Sequence, residues 1–238
     1  DLVTGVQTCA LPIYFWLGWS YYALAQYYFY TGDTEACERL LIHSITLLND
    51  AEMDVNPALE FHGLRSYALA YGLLGLTQAM LGRLSSGVQN IQQALLLAEK
   101  SNNTAAKMAC RLYQLRLHYL TGNYRQLLED STILASFFKG QDQQSVWYQI
   151  IQINTLLAQQ LLTPSLEPIQ AMLTIRTTIE QNMPSILGEY LCALGRCYYA
   201  LGLNKEALIT LDEAQYILDL QGNQMARVED TYNGAWHV

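Results

Sequence analysis

Arg116 and Tyr119, and again Arg196 and Tyr199, form the same i, i+3 pair 80 residues apart. A guanidinium and a phenol on one helix face supply a carboxylate clamp and a large amphipathic contact area, the chemistry of binding rather than of bond breaking. Residue sets that break bonds are missing from the sequence. His43, His62, His118 and His237 are isolated from one another, and no HExxH or GxSxG pattern occurs. Gly82 and Gly87 have the separation of a phosphate loop, but Val88 and Gln89 follow where Lys and Ser or Thr must hold phosphate and magnesium. Glu129 and Asp130 are neighbours, so on a helix their carboxylates diverge and read as a solvated face. Cys37, Cys110, Cys192 and Cys197 have no metal-ligand spacing and sit in apolar helical patterns, as buried reduced thiols do. His43 and His118 lie in similar patterns and read as packed or hydrogen-bonded core histidines. The expectation is a non-enzyme with no metal and no cofactor.

The elements that must position the Arg–Tyr pairs are helices. Thr31-Gly32-Asp33, Leu81-Gly82-Arg83, Thr121-Gly122-Asn123 and Leu201-Gly202-Leu203 each separate two apolar helical patterns. Gly82, Gly122 and Gly202 lie 40 and 80 residues apart, and Leu162-Thr163-Pro164 fills the gap in that series. A period of this length with two helices per period marks an α-solenoid. The patterns predict helices over 14–30, 34–49, 57–81, 84–100, 103–120, 124–138, 143–162, 166–181, 185–201 and 204–220, with a further fragment from about Gln224. Asn56-Pro57 reads as an N-cap and first helical residue, and Gly63, Gly72 and Gly75 allow a break in the third helix. With 51% hydrophobic and 14% charged residues, the chain is long enough to pack a sizeable core. A net charge of −8 with Lys and Arg scattered singly argues against a nucleic-acid partner.

Placed on the turn glycines, the second unit reads Tyr71, Leu74 and Gly75, then Gly87, Ile91 and Ala94. The unit around Gly202 reads Leu191, Leu194, Gly195 and Tyr198, then Ala207, Leu211 and Ala214. This arrangement resembles the tetratricopeptide repeat, in which small residues let two antiparallel helices approach closely while large ones fill the flanking grooves. The resemblance extends over most of 14–220. The first unit keeps Tyr21, Leu24, Ala25 and Tyr28, with Cys37 at a small-residue position. The third keeps Tyr124 but carries Leu115 where Gly or Ala is expected, which predicts a splayed pair; the fourth carries Asn154 and Thr155. The resemblance implies an all-α fold, a TPR-like α-solenoid of antiparallel helix pairs with about five repeats. It also implies a concave groove lined by first-helix residues. Those positions hold Tyr22, Gln26 and Phe29, then Arg116 and Tyr119, then Gln149 and Gln152, then Glu189, Arg196 and Tyr199.

The segments Tyr190–Gly195, Leu203–Leu208 and Leu211–Ala214, with Gly222-Asn223 beyond, are similar to C-terminal helical repeats of large bacterial signalling ATPases, adenylate cyclases and transcription activators. That resemblance implies a cytoplasmic scaffold for a protein or peptide segment, or for domains of the same full-length chain. The alternative it implies is an inducer-sensing module that controls an upstream ATPase or cyclase domain.

Val3–Ile13, VTGVQTCALPI, resembles the translation of a short-read sequencing adapter. On that reading residues 1–13 are non-native, 14–238 form one truncated solenoid, upstream domains are missing, and the uncharged run from Leu2 to Thr31 is not a membrane span. Ten of the seventeen residues 14–30 are aromatic, more than one helix face can bury, so a missing upstream repeat is expected to cover the other face, with a dedicated partner or self-association as the alternative. Deleting residues 1–13 is expected to leave the melting temperature unchanged. A fall of several degrees in a thermal melt would show that the segment is part of the fold.

Overall fold

The computed structural model describes the backbone of residues 2–50, 57–101, 103–138 and 145–225, and the side chains of residues 13–49, 66–101, 103–138 and 145–225. The fold is all-α, with no strand among the described residues. The helices are α1 (Leu2–Tyr30), α2 (Thr34–Asp50), α3 (Pro57–Met80), α4 (Leu84–Lys100), α5 (Thr104–Leu120), α6 (Tyr124–Ser136), α7 (Val146–Leu162), α8 (Leu166–Asn182), α9 (Leu187–Ala200) and α10 (Asn204–Gln221). A short 3-10 turn, Pro184–Ile186, leads into α9. α1 begins twelve residues before the expected start at Tyr14. The backbone of α3 runs unbroken past Gly63, Gly72 and Gly75. Asn56 lies outside the described residues.

The turns follow from local backbone chemistry. Gly32, Gly82, Gly122 and Gly202 all have positive φ, between 69° and 82°. At each, the glycine N–H and the next N–H fold back onto helix carbonyls, as Gly202 does to Tyr199 (2.9 Å) and Leu203 to Tyr198 (3.0 Å). This is the Schellman closure, which satisfies carbonyls in the last turn of one helix and starts the next helix at once. The turn at Leu162-Thr163-Pro164 has no glycine and closes differently. There the buried amide of Gln160 accepts from the Ser165 N–H (3.1 Å) and donates to the Cys197 carbonyl (3.0 Å), tying the α7–α8 turn to α9.

The chain divides into two compact units, residues 1–117 and 118–238. In the first, α1 packs on α2, α3 on α4, and α3 also touches both α1 and α2. In the second, α7 packs on α8, α9 on α10, and α9 also touches both α7 and α8. A first helix seated against both members of the preceding pair is the stacking of an α-solenoid. The third pair, α5 with α6, straddles the division at 117/118.

Small residues let the paired backbones meet. A Cβ on Gly87 would lie 2.7 Å from the Gly75 carbonyl oxygen, and one on Gly75 would lie 2.8 Å from the Gly87 oxygen. At the matching site in α9, a Cβ on Gly195 would lie 2.7 Å from the Leu211 side chain. Ala25 with Cys37, and Ala207 with Ala214, are buried at the corresponding positions of their pairs.

Three substitutions separate these effects in urea unfolding. Gly87→Ala should cost ~1–3 kcal/mol, because the clash is with backbone that cannot step aside. Gly202→Ala should cost ~1–2 kcal/mol from strain alone, since no atom lies within 4 Å of its Cβ site. Gln160→Ala should cost ~1–3 kcal/mol through two lost hydrogen bonds. Parent-like stability of Gly87→Ala would contradict the close-approach geometry.

Candidate functional site

Each first helix presents a face at the positions singled out by the repeat alignment. Of the ten residues there, Tyr199 is exposed, Gln26, Arg116, Gln152, Glu189 and Arg196 are partly exposed, and Tyr22, Phe29, Tyr119 and Gln149 are buried. The four buried residues do not present an open lining, and neighbouring side chains account for two of them.

In the first unit Tyr113 of α5 lies across α3 at Gly72, where a Cβ would fall 2.4 Å from the ring. The Tyr113 hydroxyl then lies 3.4 Å from that of Tyr22 on α1. The missing side chain at Gly72 is therefore filled by an aromatic from two helices away. Desolvation pushes the Tyr113 hydroxyl well above the usual tyrosine range, reinforced by Tyr22. Sequence reasoning passed over Tyr113; the signal was Gly72, a gap on α3 that needed a large side chain to fill it.

In the second unit Arg196 of α9 places its guanidinium carbon 4.9 Å from the centre of the Tyr119 ring, a cation–π contact from the last repeat to the end of α5. The contact fixes the arginine head on this face. Tyr199, one turn further along α9, is 49% exposed. Gln152 on α7 and Glu189 on α9 are partly exposed polar residues of two first helices that pack against each other. Arg116 belongs to the first unit and Arg196 to the second. Arg196, Glu189, Gln152 and Tyr199 carry a guanidinium, a carboxylate, an amide and an aromatic ring, groups that can make directed hydrogen bonds to a polar chain.

The histidines depart in part from expectation. His118 is hydrogen-bonded, as expected, with Nε2 3.1 Å from Asp130 Oδ2, and Gln126 donates to the other Asp130 oxygen at 2.9 Å. Asp130 is therefore not merely part of a solvated face; the turn at Gly122 folds α6 back so that it meets His118. His43 is not a core residue. It is exposed on α2, with its ring 5.8 Å from that of Tyr21. The side chains of His62 and His237 lie outside the described residues. No group of three or more potential metal ligands occurs among the described residues. No described helix is long and apolar enough to cross a membrane.

No protein-family model matches the chain, and no curated protein matches its sequence significantly.

Cys37, Cys110, Cys192 and Cys197 are free and buried. Burial pushes the thiols of Cys37, Cys110 and Cys197 up to about 12, from an ordinary value of 9.0. These three should resist iodoacetamide in the native protein at neutral pH and react fully in urea, read by peptide mass spectrometry; rapid native labelling of any would contradict its burial. Because their folded-state pKa values are raised, the stability they contribute is complete below about pH 9 and is lost as pH rises toward 12, when the unfolded chain ionises first. The melting temperature should therefore fall from pH 9 to 11.

Proposed function

We propose that this chain is a non-catalytic, cytoplasmic interaction module that holds a protein or peptide segment, which includes a domain of the same full-length chain. The supporting observation is the exposure of polar and aromatic side chains on two packed first helices, with Tyr199, Arg196 and Glu189 on α9 and Gln152 on α7. Arg and Tyr are the residue types that carry most binding energy in protein interfaces. The tetratricopeptide resemblance supports the same reading, since that repeat family presents ligands to its first helices. The acidic balance of the chain, −8, favours a protein partner over nucleic acid. The Arg196 head, steadied on Tyr119, would meet a carboxylate on the bound segment, and Tyr199 would cover its apolar side chains.

The test is affinity capture from the source lysate with the parent and with Arg196→Ala/Tyr199→Ala, followed by binding measurements on the captured partner. The double variant should keep its circular dichroism spectrum and bind at least ~30-fold more weakly, from about 2 kcal/mol of lost contacts. Equal binding by parent and variant would remove this face from the function. A low-molecular-mass ligand retained by the parent, with no protein captured, would favour the sensing alternative.

A further inference from the structure

α1 is built as an interior helix but is covered on one side only. Its inner face, Phe15, Tyr22, Ala25 and Phe29, is buried against the first unit. Its outer face carries Ile13, Trp16, Leu17, Leu24 and Tyr27, which are 44–66% exposed. The repeats show what that outer face is for. Leu24 occupies the position of Leu74 in α3 and Leu194 in α9, which are 5% and 1% exposed, whereas Leu24 is 46% exposed. Tyr27 occupies the position of Thr77 and Cys197, both fully buried, yet Tyr27 is 62% exposed. In α3 and α9 this face is covered by the preceding helix pair.

We propose that a second copy of this chain covers the face, with the two α1 helices packed against each other about a two-fold axis near Ser20. Three observations select this occupant. No charged residue lies between Leu2 and Gly32, so the face is matched by an equally uncharged and apolar surface, and α1 of another copy is one. An antiparallel pair pivoting on Ser20 sets Ile13 opposite Tyr27 and Trp16 opposite Leu24, large side chains flanking a small centre. Exposed fractions of about a half on side chains of ~200 Å² give roughly 600 Å² per copy and roughly 1,200 Å² for the pair, the lower edge of stable interfaces. A face that contacts its own equivalent closes on itself as a dimer.

Head-to-tail stacking onto the other end of a second copy is the competing arrangement. It is disfavoured because the chain turns back after α10 at Gly222, and Asn223 and Met225 are buried there. The exposed apolar residues of α10, Leu208, Ile209, Tyr216 and Leu220, are interspersed with Asp212, Glu213 and Asp219, and α1 has no cation to pair with those carboxylates.

Sedimentation equilibrium on the full chain at tens of micromolar tests the proposal. The parent should weigh twice 26.9 kDa. Leu24→Glu/Tyr27→Glu, at exposed positions, should weigh 26.9 kDa with an unchanged circular dichroism spectrum. Ile209→Glu on α10 should remain dimeric. As a readout that needs no charge substitution, Ser20→Cys in a Cys9→Ser background should form an intermolecular disulfide on mild oxidation. A monomeric parent would overturn the proposal and leave the face to an upstream repeat or a different partner. A dimer that survives Leu24→Glu/Tyr27→Glu, masses that climb without limit as concentration rises, or a folded Ser20→Cys protein that fails to cross-link would overturn it equally.

Discussion

Contact between helix backbones at Gly75 and Gly87 is the constraint from which the rest of the first unit follows. With a carbonyl of one helix within 3 Å of the place where the other's Cβ would stand, the pair has no room for side chains along its seam. Ile91 Cγ1 fills the space beside Gly75, and Leu74 and its neighbours on the flanks are buried in the core. The same logic recurs at Gly195, where the Leu211 side chain takes the place of the facing carbonyl. The left-handed turn glycines complete the device, since an antiparallel return within three residues holds the small positions in register.

Functional groups are thereby left to the faces of the first helices, and these faces are not uniform. In the first unit the gap at Gly72 draws Tyr113 inward to meet Tyr22, which converts part of a potential groove into core. In the second, Arg196 reaches across to Tyr119 and stays partly exposed, beside the open ring of Tyr199. An exposed aromatic surface therefore survives where the repeat array leaves Tyr199 uncovered. Gln160 shows the opposite use of a polar group. Fully buried, it spends both ends of its amide on backbone partners and replaces a turn glycine with a cross-link to the next repeat.

The helices, their turns and the close-approach residues were legible in the sequence because each rests on short-range physics. Apolar residues every three or four positions place a helix, a glycine after the last turn ends it through positive φ, and paired small residues mark a seam. Expected and observed helix boundaries from α2 onward differ by at most about three residues for this reason. What tertiary structure alone decided was which faces are covered. Tyr22, Phe29, Tyr119 and Gln149 occupy the same face as Gln26 and Tyr199, yet are buried. His118 meets Asp130 because a turn folds α6 back, while His43, in an equally apolar pattern, is left in solvent. Leu24, Leu74 and Leu194 are one residue type at one repeat position, and only the first is exposed. A residue's own helix sets where it points, but its burial depends on a helix tens of residues away, and local periodicity carries no record of whether that helix is there.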